Sequence, residues 1–264
     1  MKSVWPLLAG CLALAFAQEV SWAGATEAAT AELAMEVLQT QATAPLRCIP
    51  PTLFRDAKGV AIIPNVVKGG FILGGRFGRG VVLVRQPDGS WSNPVFVSLA
   101  GGGIGWQAGL QSTDLVLVFK SSNGLDRILK GRGKVTLGAD VGVAAGPVGR
   151  QAEAATDAEL KAEIYSYSRS RGLFAGLSLE GAGVWIDFEA NEAFYRLQGG
   201  RPADVMALRA VPLPAANLQM LLTRLSAPPP PMGILLPPVP PPPAPPRPLV
   251  PIPAPPVAPS RPPQ

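Results

Sequence analysis

Apolar positions along this chain fall in short, closely spaced blocks, not in long helical stripes. Residues 26–39 form the first such block and predict a helix. Thr26 can cap it, Ala and Glu dominate, and Leu33, Val37 and Leu38 make a narrow apolar stripe. Pro45, Pro50 and Pro51 are expected to end it. Strand-type patterns follow. Val60 to Ile63 is a short apolar run closed by Pro64-Asn65, and Gly70 to Phe77 and Gly80 to Arg85 read as paired strands joined through Gly78-Arg79. Gln86-Pro87-Asp88-Gly89 is a turn signal. Val95 to Leu99 and Asp114 to Phe119 are further strands, separated by a Gly-rich piece from Gly101 to Gly109.

Ser122 to Lys130 predicts a short helix, capped by Ser122 or Asn123, with Leu125, Ile128 and Leu129 as its apolar face. Lys134 to Ala145 has strand character, and Thr156-Asp157-Ala158-Glu159 fits a capping box. Ile164 to Arg169, Leu173 to Leu179 and Val184 to Phe188 are strand candidates. Pro214 to Leu225 predicts a closing helix with Leu218, Leu221, Leu222 and Leu225 on one face. Long helices do not alternate regularly with strands, which argues against a doubly wound parallel sheet. The expected class is α+β: a mainly antiparallel β-sheet with a few packed helices.

Both ends depart from this pattern. Lys2, the apolar stretch Val4 to Ala17 and the small-residue pattern Ser21-Trp22-Ala23 predict a signal peptide over residues 1–23. Ala15-Phe16-Ala17 is a second cleavage pattern, and Leu8-Ala9-Gly10-Cys11 is a rival lipobox reading in which Cys11 is lipidated. Export places the mature protein in a bacterial periplasm or cell envelope, peripheral to the membrane. From Ala227 onward, 20 of 38 residues are Pro. Such a segment is expected to be a disordered, extended polyproline II spacer, although Pro242 to Arg247 also has the PxxPxR order that SH3 domains read. The domain boundaries are therefore 1–23, 24–44 for the N-terminal helix, 45–226 for the folded domain with its closing helix, and 227–264 for the tail.

Composition narrows the chemistry. There is no His, so the commonest general base and zinc ligand are missing and no Ser-His-Asp or Cys-His arrangement can form within the chain. With Cys11 in the signal peptide, Cys48 stands alone and reads as a small hydrophobe. Asp140, Asp187 and Glu189 are conceivable as acid or base, but nothing in the sequence orients them. No catalytic residue, metal ligand or cofactor is expected. Gly74 to Gly80 resembles a phosphate loop only in its glycine content: the GxGxxG order is missing and strands flank it. The net charge of +5 favours anionic partners, and the dispersed basic residues argue against nucleic acid.

Three groups of side chains could carry binding. Arg127, Lys130, Arg132 and Lys134 form the densest basic cluster, suited to phosphate-type headgroups or else a plain solvated surface. Arg76, Arg79 and Arg85 with Lys68 make a second candidate edge. Tyr165, Tyr167, Arg169 and Arg171 alternate, so on a strand they share one face. That face fits either a membrane interface or partner, or a cation–π-braced sheet surface.

A family resemblance rests on particular stretches. These are Ala57-Lys58-Gly59-Val60-Ala61-Ile62-Ile63-Pro64, Gly69 to Gly80, Trp91-Ser92-Asn93-Pro94, Gly105-Trp106-Gln107, Gln111-Ser112-Thr113-Asp114 and above all Leu137 to Gly183. In this order, over about residues 45 to 200, they resemble the SYLF domain. The resemblance implies a non-catalytic domain that associates with membranes, with phosphoinositide binding and actin binding among eukaryotic relatives. It also implies an N-terminal amphipathic helix that engages bilayers. Here that helix carries Glu27, Glu32 and Glu36 and no Lys or Arg, whereas anionic lipid selects a basic polar face. Contact with anionic membrane lipid is therefore expected from the basic residues of the domain: Lys68, Arg76, Arg79, Arg127, Lys130, Arg132 and Lys134. The alternative is a structural or scaffold protein of the envelope whose tail reaches a protein partner.

Overall fold

The computed structural model describes residues 26–44, 48–70, 73–104, 109–130, 134–147, 162–171, 179 and 181–228. The signal-peptide region, the capping box at 156–159, nearly all of the strand candidate at 173–179, Arg132 and nearly all of the Pro-rich tail lie outside them.

The described residues build an α+β fold around one eight-stranded sheet. Its strands are β1 (Gly59–Gly70), β2 (Leu73–Val84), β3 (Val95–Ile104), β4 (Gly109–Phe119), β5 (Val135–Thr136), β6 (Val143–Ala145), β7 (Ile164–Arg171) and β8 (Gly183–Ile186). The spatial order is β5-β8-β3-β2-β1-β4-β7-β6. All pairings are antiparallel except β6 on β7. The helices are α1 (26–43), α2 (Pro51–Asp56), α3 (Ser122–Leu129), α4 (Phe188–Tyr195), α5 (Pro202–Ala207) and α6 (Leu213–Leu225).

The middle of the sheet is covered on both faces. Val60 to Ile63 in β1 and Leu115 to Phe119 in β4 are buried at every position, and that is why these strands read as unbroken apolar runs. β1 does not stop at Pro64-Asn65. A bulge there shifts the register between Ile63 and Val66, Asn65 takes a left-handed φ of 49°, and its N–H donates to Asp114 Oδ1 at 3.1 Å. A bulge tolerates proline's missing donor, so the strand passes through.

The expected hairpin at Gly78-Arg79 is absent. Residues 73–84 form one strand, paired with β1 on one side and β3 on the other. The glycines serve close approach: a Cβ on Gly78 would come within 2.9 Å of the side chains of Ile63 and Val66, and one on Gly80 would collide with the backbone of Ile62. The turn at residues 86–89 forms as expected, with Gly89 at φ 85°.

The helices depart from expectation in detail. On α1 the buried positions are Glu27, Ala31, Ala34, Val37, Leu38 and Gln41, and Leu33 is only half-buried. The buried face is thus centred on small alanines. Pro51 opens the short helix α2 at its first turn, where a proline N–H is not needed. Ser121 is the N-cap residue of α3, without a side-chain cap bond, and Leu125 and Ile128 are buried as expected. The strand expected to reach Phe188 ends at Ile186, because Asp187 caps α4 by accepting from the N–H of Ala190 at 3.1 Å. α4 then sets Phe194 and Tyr195 edge-on against Phe96. On α6, Leu218 and Leu222 are buried and Leu221 and Leu225 half-buried.

Arg85 belongs to the fold and not to a binding edge. Its guanidinium lies 4.3 Å from the Trp91 ring centroid and donates to the carbonyls of Phe54 and Arg55 at 3.0 Å. Trp91 Nε1 donates to Ser226 Oγ at 2.9 Å, and the Gln219 amide donates to Trp91 O. This knot, centred on the fully buried Trp91, joins the end of α2, the β2–β3 turn and the end of α6. Trp91→Ala is expected to cost about 3–5 kcal/mol, the range for deleting a buried large aromatic, measured by urea denaturation of the full chain. A loss below about 1 kcal/mol would contradict this assignment.

Candidate functional site

The basic residues singled out in the sequence do not form one patch. Arg127 and Lys130 are exposed on α3, beside a depression of about 360 Å³ that also contains Asp126, Asp140 and Glu163. Arg127 Nη1 donates to Asp140 O at 3.1 Å. Three carboxylates around two cations cancel much of the local field. Lys134 parts from this pair. It lies at the start of β5 with its methylene stem over the α-carbon of Gly183, and it lines a different cleft.

Lys68 and Arg76 do meet, as direct cross-strand partners on β1 and β2. Lys68 is exposed; Arg76 is half-buried and donates to Gly102 O at 3.4 Å. Burial lowers its guanidinium pKa from the ordinary value.

Arg79 sits on the opposite face of β2, at the floor of a cleft of about 690 Å³. Its Nε and Nη2 reach Asp187 Oδ2 at 3.0 and 2.9 Å, and its Nη1 reaches Glu27 Oε1 at 3.5 Å. Ser98 Oγ donates to the same Asp187 oxygen at 2.9 Å. Asp187 therefore has both oxygens engaged, one by Arg79 and Ser98 and the other by the N-terminus of α4. Arg79 is a structural cation, neutralised where it stands. Asp140 is engaged too, its Oδ2 accepting from the N–H of Thr136 at 2.7 Å. Neither carboxylate is positioned as an acid or base, and Glu189 is exposed at the cleft rim. Among the described residues no group of three or more His, Cys, Asp or Glu side chains could hold a metal ion.

The alternating Tyr/Arg face is corrected. Tyr165 and Tyr167 are buried in the core, and the Tyr167 hydroxyl donates to Pro147 O at 3.0 Å. Alternation on β7 points the rings inward, so they cannot line a membrane interface.

What sequence reading missed is the apolar rim of the cleft. Rows across the sheet define it. Val67 faces Phe77, Phe77 faces Ala100, and Ala100 faces Gly183. One step along, Arg79 faces Ser98 and Ser98 faces Trp185. Phe77, Trp185, Phe188 and Lys134, whose stem lies over Gly183, line the cleft with Arg79 and Ser98. Phe77 is 52% exposed and Val67 47%. Reading residues 70–85 as a hairpin hid this row, because it placed Phe77 at the edge of a turn.

The geometry defines an α+β domain with a mainly antiparallel sheet and a cleft lined by both apolar and charged side chains. Residues 100–227 match the family model Ysc84, described as Las17-binding protein actin regulator. Protein YSC84 of Saccharomyces cerevisiae is 44% identical over 149 residues, covering 56% of this chain and 31% of that protein. LAS seventeen-binding protein 3 of the same species is 41% identical over 172 residues, 64% of this chain and 37% of that protein. SH3 domain-containing YSC84-like protein 1 of Bos taurus is 40% identical over 156 residues, 59% and 45% respectively. The chain carries a domain of the Ysc84/SYLF family. It spans about a third to a half of the length of these curated relatives. No solved structure matches it. The relatives are named for binding and for SH3 domains, and no catalytic family is indicated.

Glu27 gives the site a pH dependence. Its side chain is 6% exposed, and Oε2 is buried with no hydrogen-bond partner. Burial raises its pKa above the ordinary 4.5; its own backbone and Arg79 pull it back, and Asp187 adds to the rise. The folded state thus holds the proton more tightly than the unfolded chain, so stability falls as pH rises from 4.5 through the folded pKa. Glu27→Gln is expected to melt at or above wild type at pH 7, with the gap closing towards pH 4.5. A melting temperature several degrees below wild type at pH 7 would show that the Arg79 pairing outweighs burial.

Proposed function

We propose that this domain is a non-catalytic, membrane-associated module of the bacterial cell envelope that contacts anionic lipid headgroups through basic surface residues. The observation that carries this reading is the placement of Lys68 directly opposite Arg76, at the end of the sheet where Gly70, Leu73, Ile104 and Gly109 come together. Lys134 adds a cation at the cleft that begins beside Phe77. Arg79 contributes no net charge, and Arg127 and Lys130 contribute little against Asp126, Asp140 and Glu163. The signal-peptide pattern expected over residues 1–23 and the net charge of +5 support the same reading, and export to the periplasm or envelope is part of it. No helix among the described residues is long and apolar enough to cross a membrane.

A second reading has its own support. Relatives bear the names Las17-binding and LAS seventeen-binding, and residues 227–264 contain the PxxPxR order. In this reading the tail reaches a protein partner, and a peptide of residues 227–264 retains that partner in a pull-down from envelope extract.

Co-sedimentation with anionic and neutral vesicles at low and high salt tests the first reading. Each exposed Lys near an anionic surface contributes about 1 kcal/mol. Lys68→Glu and Lys134→Glu are therefore each expected to weaken binding at least fivefold, and Arg127→Glu with Lys130→Glu less than either. Sedimentation independent of lipid charge, or absent at low salt where attraction is strongest, would overturn it.

A further inference from the structure

The charges alone leave the exposed apolar groups beside them unexplained. Single apolar side chains on a surface are ordinary, but these are grouped. Val67 and Phe77 are cross-strand partners, 47% and 52% exposed, and the next pair along the same two strands is Lys68 with Arg76. Side chains alternate across a strand, so the apolar pair and the cationic pair occupy opposite faces of one sheet end. Phe77 continues into the cleft shared with Trp185, Lys134 and Phe188, which is 39% exposed.

The helix that would otherwise enter a bilayer is already engaged. Ala31, Ala34, Val37 and Leu38 of α1 are buried in the core, and Glu27 is tied to Arg79. This part of the sheet, in contrast, offers exposed apolar and aromatic side chains, with the exposed cations Lys68 and Lys134 nearby. That is the combination that sits at a headgroup–acyl boundary, with rings in the boundary and amines reaching to the phosphates.

We infer that the part of the sheet carrying Val67 and Phe77, together with Phe188 of α4 across the cleft, inserts into the interface of an anionic membrane, with Lys68 and Lys134 holding the headgroups around it. This deepens, and rests on, the membrane reading above: it names where the domain enters and by which side chains. Insertion adds an apolar contribution that salt does not screen, while the cations supply the part that salt removes. Glu189 at the cleft rim has the sign that anionic lipid repels, so Glu189→Gln should tighten binding.

The experiment uses the full chain and vesicles of phosphatidylcholine with and without phosphatidylglycerol, with partition measured across a salt series. Val67→Ser with Phe77→Ser is expected to lower the partition coefficient about tenfold at every salt concentration, leaving the salt slope as in wild type. Lys68→Gln with Lys134→Gln should flatten the slope. Phe188→Ser alone should give a smaller loss, and Leu213→Ser with Met220→Ser, both exposed on α6, should give none. Matched melting curves confirm that each variant is folded; if the Val67/Phe77 pair is not, Phe188→Ser and Glu189→Gln carry the test. If wild type binds anionic vesicles and the Val67/Phe77 and Phe188 variants bind equally well, or the α6 control loses as much, the insertion surface is wrong and the membrane reading stands. If wild type does not bind anionic vesicles at low salt, both fall.

Discussion

The Asp187 carboxylate ties together elements from four parts of the chain. One oxygen takes Arg79 from β2 and Ser98 from β3, and the other caps α4. Through Arg79 the same network reaches Glu27 on α1. Four elements far apart in sequence thus depend on one side chain, and each contact fixes the next. The cap sets where β8 ends and α4 begins, which puts Phe188 and Trp185 on the cleft. The ion pair ties Arg79 to Asp187 in the cleft that Phe77 also lines. Two carboxylates share one guanidinium, so one of them, Glu27, keeps an oxygen unsatisfied in a buried place.

This arrangement separates structural charges from available ones. Arg79 and Arg85 are both tied into the fold, the first to carboxylates and the second to backbone carbonyls beside Trp91. Arg127 and Lys130 lie among acids. Lys68 is exposed on β1 next to Val67, and Lys134 shares its cleft with Phe77, Trp185 and Phe188. A surface of this kind favours a partner with its own charged and apolar layers, and a bilayer interface is one.

Much of the fold was legible in the sequence. The apolar runs of β1 and β4, the turn at residues 86–89, α3 and α6 follow from local pattern, because burial there is dense and regular. The errors share one cause: local signals that tertiary contacts override. Pro64-Asn65 and Gly78-Arg79 look like strand ends, yet the first is a bulge and the second a close approach to that bulge. Phe188 looks like the end of a strand, yet the Asp187 cap turns it into a helix start. The family was legible because its motifs span most of the folded part, and the match over residues 100–227 agrees. The site was legible only in part. Charge clusters are visible in a sequence, but whether a charge is paired depends on residues such as Glu27, Asp187 and Glu163 that lie tens of residues away.

The central claim is that the domain meets anionic membranes with one end of its sheet. Hydrogen–deuterium exchange of the full chain, with and without phosphatidylglycerol-containing vesicles, tests it most directly. The account predicts that vesicles slow exchange in peptides covering residues 66–77 and 183–189 and leave residues 122–130 unchanged. Slowed exchange confined to residues 122–130, or to residues 26–43, would contradict it.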